Sequence, residues 1–410
     1  MSKQHPRTES EHSKKAGTAA SACALPPAFV TWFSDRGWSP RAHQLALLDL
    51  AFTHRSALLI APTGAGKTLA GFLPSLVALS EAPKRKAGLH TLYISPLKAL
   101  AVDVKRNLET PIAEMGLDIR VETRTGDTPQ NRRLRQRRDP PDILMTTPEQ
   151  LALLLSYSDA SGFFGSLECV VLDELHALAN SKRGDLLALG LARLAVIAPN
   201  MRRVGLSATV AEPDELRRYL MPQRDGYETL ADVVVAPQGA VPDIGILVPI
   251  EPDHDGGEVA RIPWSGHSAR HAMPAVYASI LKHKTTLVFV NTRSQAEFVF
   301  QELWRLNEDS LPIALHHGSL SAEQRRKVEA AMSAGTLRAV VCTSTLDLGI
   351  DWGEVDLVIC VGAPKGASRL AQRIGRANHR LDEPSKALLV PANRFEVLEC
   401  EAARAAATEG

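Results

Sequence analysis

Long apolar runs are missing from this chain of 410 residues. Nothing in it approaches the ~18 to 20 consecutive apolar residues that a membrane-spanning helix needs, so no span is expected. Cysteine is scarce. The five present (Cys23, Cys169, Cys342, Cys360 and Cys400) lie far apart with no C-x-x-C spacing. That argues against a structural zinc or a disulfide framework and suits a reducing compartment. An excess of either charge is also missing: 47 Lys and Arg stand against 46 Asp and Glu, a formal net charge of +1. Any nucleic-acid surface must therefore be local and not a property of the whole molecule. The opening "MSKQHPRTESEHSKKAGTAASACA" is polar and basic and contains no apolar core of a signal peptide. Residues 1–27 are expected to form a disordered polar tail, and the protein to be cytoplasmic. No repeat of 20–50 residues is visible.

What is present is the composition of a globular protein, 45% hydrophobic and 23% charged, long enough for two cores. From about residue 28 short apolar runs alternate with amphipathic segments, the βαβ rhythm of a parallel sheet. "ALLIAP", "HTLYISP", "DILMTTP", "LECVVLDE" and "RRVGLSAT" read as strands covered on both faces. A second series follows in "TTLVFVNT", "IALHHG", "LRAVVCTS", "VDLVICVG" and "KALLVPA". The expected fold class is α/β, with two tandem parallel-sheet domains over 28–222 and 271–395 and functional residues at strand C-terminal ends facing a cleft. Residues 223–270, rich in Pro, Gly and Asp, are expected to connect them, with a strand or two of their own.

The stretch "LLIAPTGAGKTLAG" closes the first strand. It departs from the pattern G-x-x-x-x-G-K-[ST], because Ala61 stands at the first glycine position. A phosphate cradle needs backbone N–H groups at a helix N-terminus and close backbone approach, which Gly64 and Gly66 allow within Thr63, Gly64, Ala65 and Gly66. Lys67 would reach the terminal phosphates, and the Thr68 hydroxyl would ligate Mg²⁺. "LECVVLDELH" ends a buried strand in two carboxylates: Asp173 is placed for Mg²⁺, and Glu174 to orient and deprotonate an attacking water. Ser207 and Thr209 of "GLSAT" can bond to His176 or to the carboxylates and sense the nucleotide. Gln44 offers an amide able to read both edges of adenine. Each feature also has a plain structural reading, as turn, acidic helix start or solvated glutamine; together they describe an ATP site.

The second domain carries "RLAQRIGRANHR", in which Arg373 and Arg376 are three apart on one helical face. Both are expected to reach one phosphate as rate-accelerating guanidinium groups. Before them, "TSTLDLGIDWGEVD" offers Gly349 for close approach and Asp351 as acceptor from a ribose hydroxyl.

The ordered set APTGAGKT, SPLKAL, TTPE, DELH, SAT, VFVNTR, HHGSLS, TSTLDLGID and QRIGRANHR resembles superfamily 2 helicases of the DEAD/DEAH-like kind, over nearly the whole chain after residue 28. That family usually begins its loop with alanine. The longer strings "LVFVNTRSQAEFVFQELW", "STLDLGIDWGEVDLVI" and "GAPKGASRLAQRIGRANHR" resemble the large helicase-related (Lhr) DEXH-box proteins, most closely the DNA-ligase-associated subgroup. The resemblance implies two RecA-like domains with the nucleotide in the cleft between them, and ATP and Mg²⁺ as cofactors. It implies translocation on single-stranded DNA, typically 3′ to 5′, and duplex unwinding in DNA repair. A DNA ligase and a repair nuclease are implied as partners of a monomer. Family members usually continue into winged-helix and further domains, so 396–410 is expected to be the start of a truncated extension, and unwinding is the activity that this puts in question.

Matching segments end strands and open helices in both domains, where N–H groups, hydroxyls and cations can hold successive phosphates whatever the base. The residues so assigned are Pro96, Leu97, Lys98, Thr125, Gly126, Asp127, Thr147 and Pro148, then Thr292, Arg293, His317, Gly318, Thr343 and Ser344. "TPQNRRLRQRRDPP" reads as a helix with Thr128 as N-cap and Pro129 first. Its Arg132, Arg133, Arg135, Arg137 and Arg138 form either a solvated basic face or part of the nucleic-acid path. Three rival functions remain: an ATP-dependent clamp or remodeller that does not unwind, an RNA-directed helicase, and a small-molecule P-loop kinase. The paired arginines of a second domain speak against the last.

Overall fold

The computed structural model describes residues 25–62, 64–82, 88–208, 210, 212–223, 227–237, 239–247, 269–347, 355–377 and 384–409. Among the described residues, thirteen strands build two all-parallel sheets. In the first lobe these are β1 (Ala57–Ile60), β2 (Thr91–Ile94), β3 (Val121–Arg124), β4 (Ile143–Thr146), β5 (Cys169–Leu172), β6 (Arg202–Ser207) and β7 (Asp232–Val235), in spatial order β3-β4-β2-β5-β6-β1-β7. The second lobe has β8 (Asp243–Ile246), β9 (Thr286–Val290), β10 (Ile313–His316), β11 (Ala339–Cys342), β12 (Leu357–Val361) and β13 (Lys386–Val390), ordered β10-β11-β9-β12-β13-β8.

Strand alternation explains why both faces are covered. Leu59 of β1 and Val171 of β5 enter one core of the first lobe, while Leu58 and Val170 enter the other. In β9, Leu287 and Phe289 face one core of the second lobe, and Val288 and Val290 the opposite one. With every side chain removed from water, such strands read as unbroken apolar runs.

Part of the segment expected as a connection is strand. β7 pairs with β1, placing Val234 opposite Leu59, and β8 pairs with β13, placing Ile244 opposite Ala387. The two strands finish opposite sheets, and each is an edge. The basic helix also starts later than expected, spanning Gln130–Arg138 with Pro129 at its N-cap in an extended conformation. Thr128 is used differently: its Oγ1 accepts from the Thr125 N–H at 2.9 Å and closes the preceding turn. Among the described residues no helix is long and apolar enough to cross a membrane, and the four cysteines are buried and unbridged.

Candidate ATP site and nucleic-acid rim

Because all strands in a sheet run one way, their C-terminal ends share one rim, and the sequence motifs collect there. After β1 the chain turns through Gly64 (φ 78°) and Gly66 (φ 73°) into the helix Lys67–Glu81. Gly66 is the N-cap and supplies no side chain, so the first-turn N–H groups are left to the turn itself. A Cβ on Gly66 would lie 3.1 Å from Gln44 Nε2, so side-chain bulk would crowd that amide as well as being disfavoured by φ. Ala61 is buried, and its N–H still pairs with Ser207 O at 3.0 Å. Ala61 therefore belongs to the sheet ladder, outside the cradle, and glycine is not needed there. Lys67 Nζ donates to Ala61 O at 2.9 Å, and Thr68 follows it, half-buried, in the first helical turn.

The turn is braced from behind by the helix Ala42–Phe52 and the residue before it. Arg41 Nη1 donates to Gly64 O (3.0 Å), and His43 Nε2 bonds to Ala65 O (2.9 Å). Gln44 is buried, and its Oε1 accepts from the Arg41 N–H at 2.9 Å in a capping box. Of the two amide edges expected to read adenine, the oxygen also caps this helix, and the nitrogen faces the glycine turn.

Asp173 and Glu174 follow β5. The Asp173 N–H continues the ladder to Ile94 O (2.9 Å), and Tyr93 OH donates to Asp173 Oδ2. Glu174 adopts a left-handed conformation (φ 47°), with its N–H on Asp173 Oδ1 at 2.9 Å, and opens the helix Leu175–Ala179. A non-glycine residue there marks local strain of the kind that gathers at functional sites. Burial, then the neighbouring Glu174 charge, pushes the Asp173 carboxyl up to about 6. Burial lowers Lys67, the carboxylates Glu174 and Asp173 oppose that shift, and the Arg376 guanidinium adds to it. His176 is drawn down to about 4 by burial and by Lys67. Its neutral ring lies 3.0 Å from Ser207 Oγ through Nδ1 and 2.7 Å from Gln372 Nε2 through Nε2. The amide nitrogen only donates, so this contact uses the tautomer with its proton on Nδ1, toward Ser207, while Glu174 Oε2 lies 3.5 Å from the same Nε2. The Gln372 contact joins the two lobes across 196 positions of sequence.

The two arginines part company. Arg373 lies in the helix Ala367–Ile374, 1% exposed, with Nε on Asp347 Oδ1 at 2.9 Å and its guanidinium 4.9 Å from the Phe289 ring centre. It is turned into its own lobe. The expectation that both guanidinium groups reach one phosphate is corrected, because Arg376 lies beyond the helix end and three-residue spacing no longer sets a shared face. Arg376 is buried and near enough to Lys67 to act on its charge. Thr63, Thr209, Gly349 and Asp351 lie outside the described residues.

The segments assigned to nucleic acid follow β2, β3 and β4 in one lobe and β9, β10 and β11 in the other, each trio adjacent in its sheet. Pro96 and Leu97 lead into the helix Lys98–Glu114, and Thr147 into Pro148–Leu155. Lys98 Nζ pairs with Asp127 Oδ1 (3.1 Å) above Gly126, and Thr125 Oγ1 accepts from the Asp127 N–H (3.3 Å). Opposite, Thr292 caps the helix Arg293–Leu306 through the Gln295 N–H (3.2 Å), leaving Arg293 exposed. His317 is buried, with Nδ1 accepting from the Ser319 N–H (3.2 Å) beside Gly318; the Thr343 N–H bonds to His316 O (3.3 Å), and Ser344 opens a short 3-10 turn. Four of the five clustered arginines have local partners. Arg132 and Arg135 bind Glu122, Arg137 binds Asp159, and Arg133 holds Gly126 O at 2.6 Å. Sequence reasoning missed Arg41, His43, Tyr93, Asp347 and Gln372, although Tyr93 in HTLYISP, Asp347 in TSTLDLGIDWGEVD and Gln372 in QRIGRANHR sat within segments already singled out.

A glycine turn and two carboxylates on one parallel-sheet lobe, met by a guanidinium from a second, define a two-lobed RecA-like nucleotide-using protein. The family model for the DEAD/DEAH box helicase matches residues 41–216, and that for the helicase conserved C-terminal domain matches 271–380. The chain is 38% identical over 429 aligned positions to the Lhr helicase/uracil glycosylase of Escherichia coli, covering 91% of this chain and 27% of that protein. It is 36% identical to the ATP-dependent helicase Lhr-Core of Methanothermobacter thermautotrophicus, covering 90% and 44%. The solved structure of Mycobacterium smegmatis helicase Lhr bound to ssDNA and AMP-PNP superposes with a TM-score of 0.79 at 37% identity, covering 92% of this chain and 49% of that one. The chain belongs to the Lhr family of superfamily 2 DEXH-box helicases. It spans between 26% and 45% of the length of the curated relatives it matches.

Proposed function

We propose that the chain is the motor core of an ATP-dependent DNA helicase, hydrolysing ATP to ADP and phosphate while moving along single-stranded DNA. The observation that carries this reading is the cross-lobe contact of Gln372 with His176, whose ring lies 3.5 Å from Glu174, with Arg376 near enough to act on the Lys67 charge. In it, the turn Gly64–Thr68 cradles the phosphates, and Lys67 neutralises the terminal ones. Glu174 orients and deprotonates the attacking water, and Arg376 balances charge that develops on the transferred phosphoryl group. Arg373 acts indirectly, holding the helix that presents Gln372 and Arg376.

The residues present fit Mg²⁺. Asp173 is a buried carboxylate whose ionised form wants a nearby cation, and Thr68 offers a hydroxyl in the first turn of the helix that Lys67 opens. Among the described residues no group of three or more metal-ligating side chains exists, as suits an ion held by one or two protein oxygens and by phosphate. Mg²⁺, when bound, shields the phosphate charges and polarises the bond to be cleaved.

On the rim, the turns after β2, β3, β4, β9, β10 and β11 bind successive phosphates of one strand, independently of base. Unequal grip by the two lobes across the cycle moves the strand. The DNA-bound state of the Mycobacterium smegmatis relative supports DNA over RNA as the track. A setting in repair beside a DNA ligase and a nuclease is carried by the resemblance of the longer motif strings, and co-purification from the native cell tests it.

ATP turnover of the purified chain with and without single-stranded DNA or RNA tests the motor reading. Turnover is expected to rise with DNA and less with RNA. Indifference to both would overturn it. A strand-displacement assay separates a helicase from a clamp that only closes.

A further inference from the structure

We propose that Arg183 is a positioning residue that couples the nucleic-acid rim of the first lobe to its hydrolytic carboxylate, by tying the turns after β2 and β4 to the helices that grow from Glu174. The inference rests on the motor reading above and adds the route by which DNA binding reaches the ATP site.

All three guanidinium nitrogens of Arg183 are engaged. Nη1 donates to Pro96 O at 2.6 Å; Nε and Nη2 donate to Glu149 Oε1 and Oε2 at 2.5 and 3.0 Å. Pro96 lies in the turn after β2, and Glu149 in the first turn of the helix Pro148–Leu155 after β4. These partners are 87 and 34 residues away in sequence. The planar fork suits a two-point carboxylate contact plus a third acceptor, which lysine could not match.

The other end of the connection is stiff. Arg183 stands in the first turn of the helix Lys182–Ile197, directly after Leu175–Ala179, the helix that Glu174 opens. Ser181 Oγ donates to Leu178 O (2.7 Å) and accepts from the Gly184 N–H (3.2 Å). A Cβ on Gly184 would lie 2.2 Å from Leu178 O, so the two helices meet backbone to backbone. Tyr219 OH adds a bond to Gly184 O at 2.7 Å. A shift of Glu174 therefore moves Arg183, and a shift of the rim turns pulls on Glu174.

Charge adds a second reason. Glu149 occupies a helix N-terminus where a DNA phosphate would otherwise be favoured, and Arg183 neutralises it while holding its carboxyl down to about 2. Both side chains are about half exposed, 40% and 47%. Such a pair contributes little to stability, so its effect is on placement.

The test uses the 410-residue chain carrying Arg183→Ala, Arg183→Lys, Glu149→Gln, or Arg183→Ala with Glu149→Gln. Thermal unfolding, basal ATP turnover and turnover over a series of single-stranded DNA concentrations are measured for each. Arg183→Ala is expected to leave unfolding and basal turnover within about twofold while cutting maximal stimulation by roughly tenfold. Arg183→Lys should keep part of the stimulation, and the double variant should be no worse than Arg183→Ala. Undiminished stimulation in Arg183→Ala, or a basal rate that falls in step with the stimulated rate, would overturn the proposal. Absence of stimulation in the unaltered chain would instead overturn the motor reading and take this inference with it.

Discussion

The two lobes are built on one plan, and three adjacent strands of each sheet end in turns of hydroxyls, glycine and helix starts: β3, β4 and β2 in the first, β10, β11 and β9 in the second. Away from those strands they diverge. The first lobe gathers Lys67, Asp173, Glu174 and His176 around its glycine turn, while the second brings Gln372 and Arg376 and keeps Arg373 for itself. Their internal ties differ in kind too. Arg183 joins the first lobe's turns through a half-exposed ion pair to Glu149 and a bond to the Pro96 carbonyl. In the second, buried His316 bonds through Nδ1 to Thr345 Oγ1 (2.9 Å) and through Nε2 to Glu329 (3.2 Å). In the proposed motor a repeated sheet supplies a repeated phosphate rim, and the chemistry comes from what is not repeated.

Breaking the asymmetry at its hydrolytic end should have the largest effect. Glu174→Gln is expected to slow single-turnover hydrolysis by roughly 10²- to 10⁴-fold while nucleotide affinity is kept. Retained turnover would remove Glu174 as the base. Next comes Arg373→Ala, which leaves buried Asp347 with only the half-exposed Arg369 at 3.6 Å; unfolding by denaturant should show a loss of at most about 3–5 kcal/mol. If stability held and only hydrolysis fell, Arg373 would belong with Arg376 at the phosphate. Smallest is Gly66→Ala, which forces a side chain into a left-handed turn against Gln44 and should cost about 1–2 kcal/mol with weaker nucleotide binding. Unchanged binding would place the cradle elsewhere.

How far the sequence reached follows from burial. β1, β2, β4, β5, β9, β11 and β12 were legible because both of their faces are covered, which leaves nearly continuous apolar runs. β6, β10 and β13 were legible from shorter apolar stretches beside Arg202 and Arg203, His316 and exposed Lys386. β3 was not: "VETR" puts Glu122 and Arg124 into the lobe, where the basic helix satisfies them through Arg135 and the Arg133 carbonyl. β7 and β8 were expected only as a strand or two somewhere in 223–270, because their polar surroundings, usual for edge strands, hid their positions, and Gly245 further weakens the β8 signal. At the site, motif residues near one another in sequence were readable, including the carboxylate pair and the glycine turn. Tyr93 on Asp173, Arg183 on Pro96 and Gln372 on His176 were not, since their partners lie 80, 87 and 196 positions away. The spacing of Arg373 and Arg376 misled because the helix ends between them, at Ile374.

The most direct measurement is single-turnover ATP hydrolysis by Arg376→Ala, with nucleotide affinity measured on the same protein. A site completed by the second lobe predicts a rate lower by about 10³-fold with affinity changed only a few-fold. A rate equal to that of the unaltered chain would mean that the first lobe hydrolyses alone.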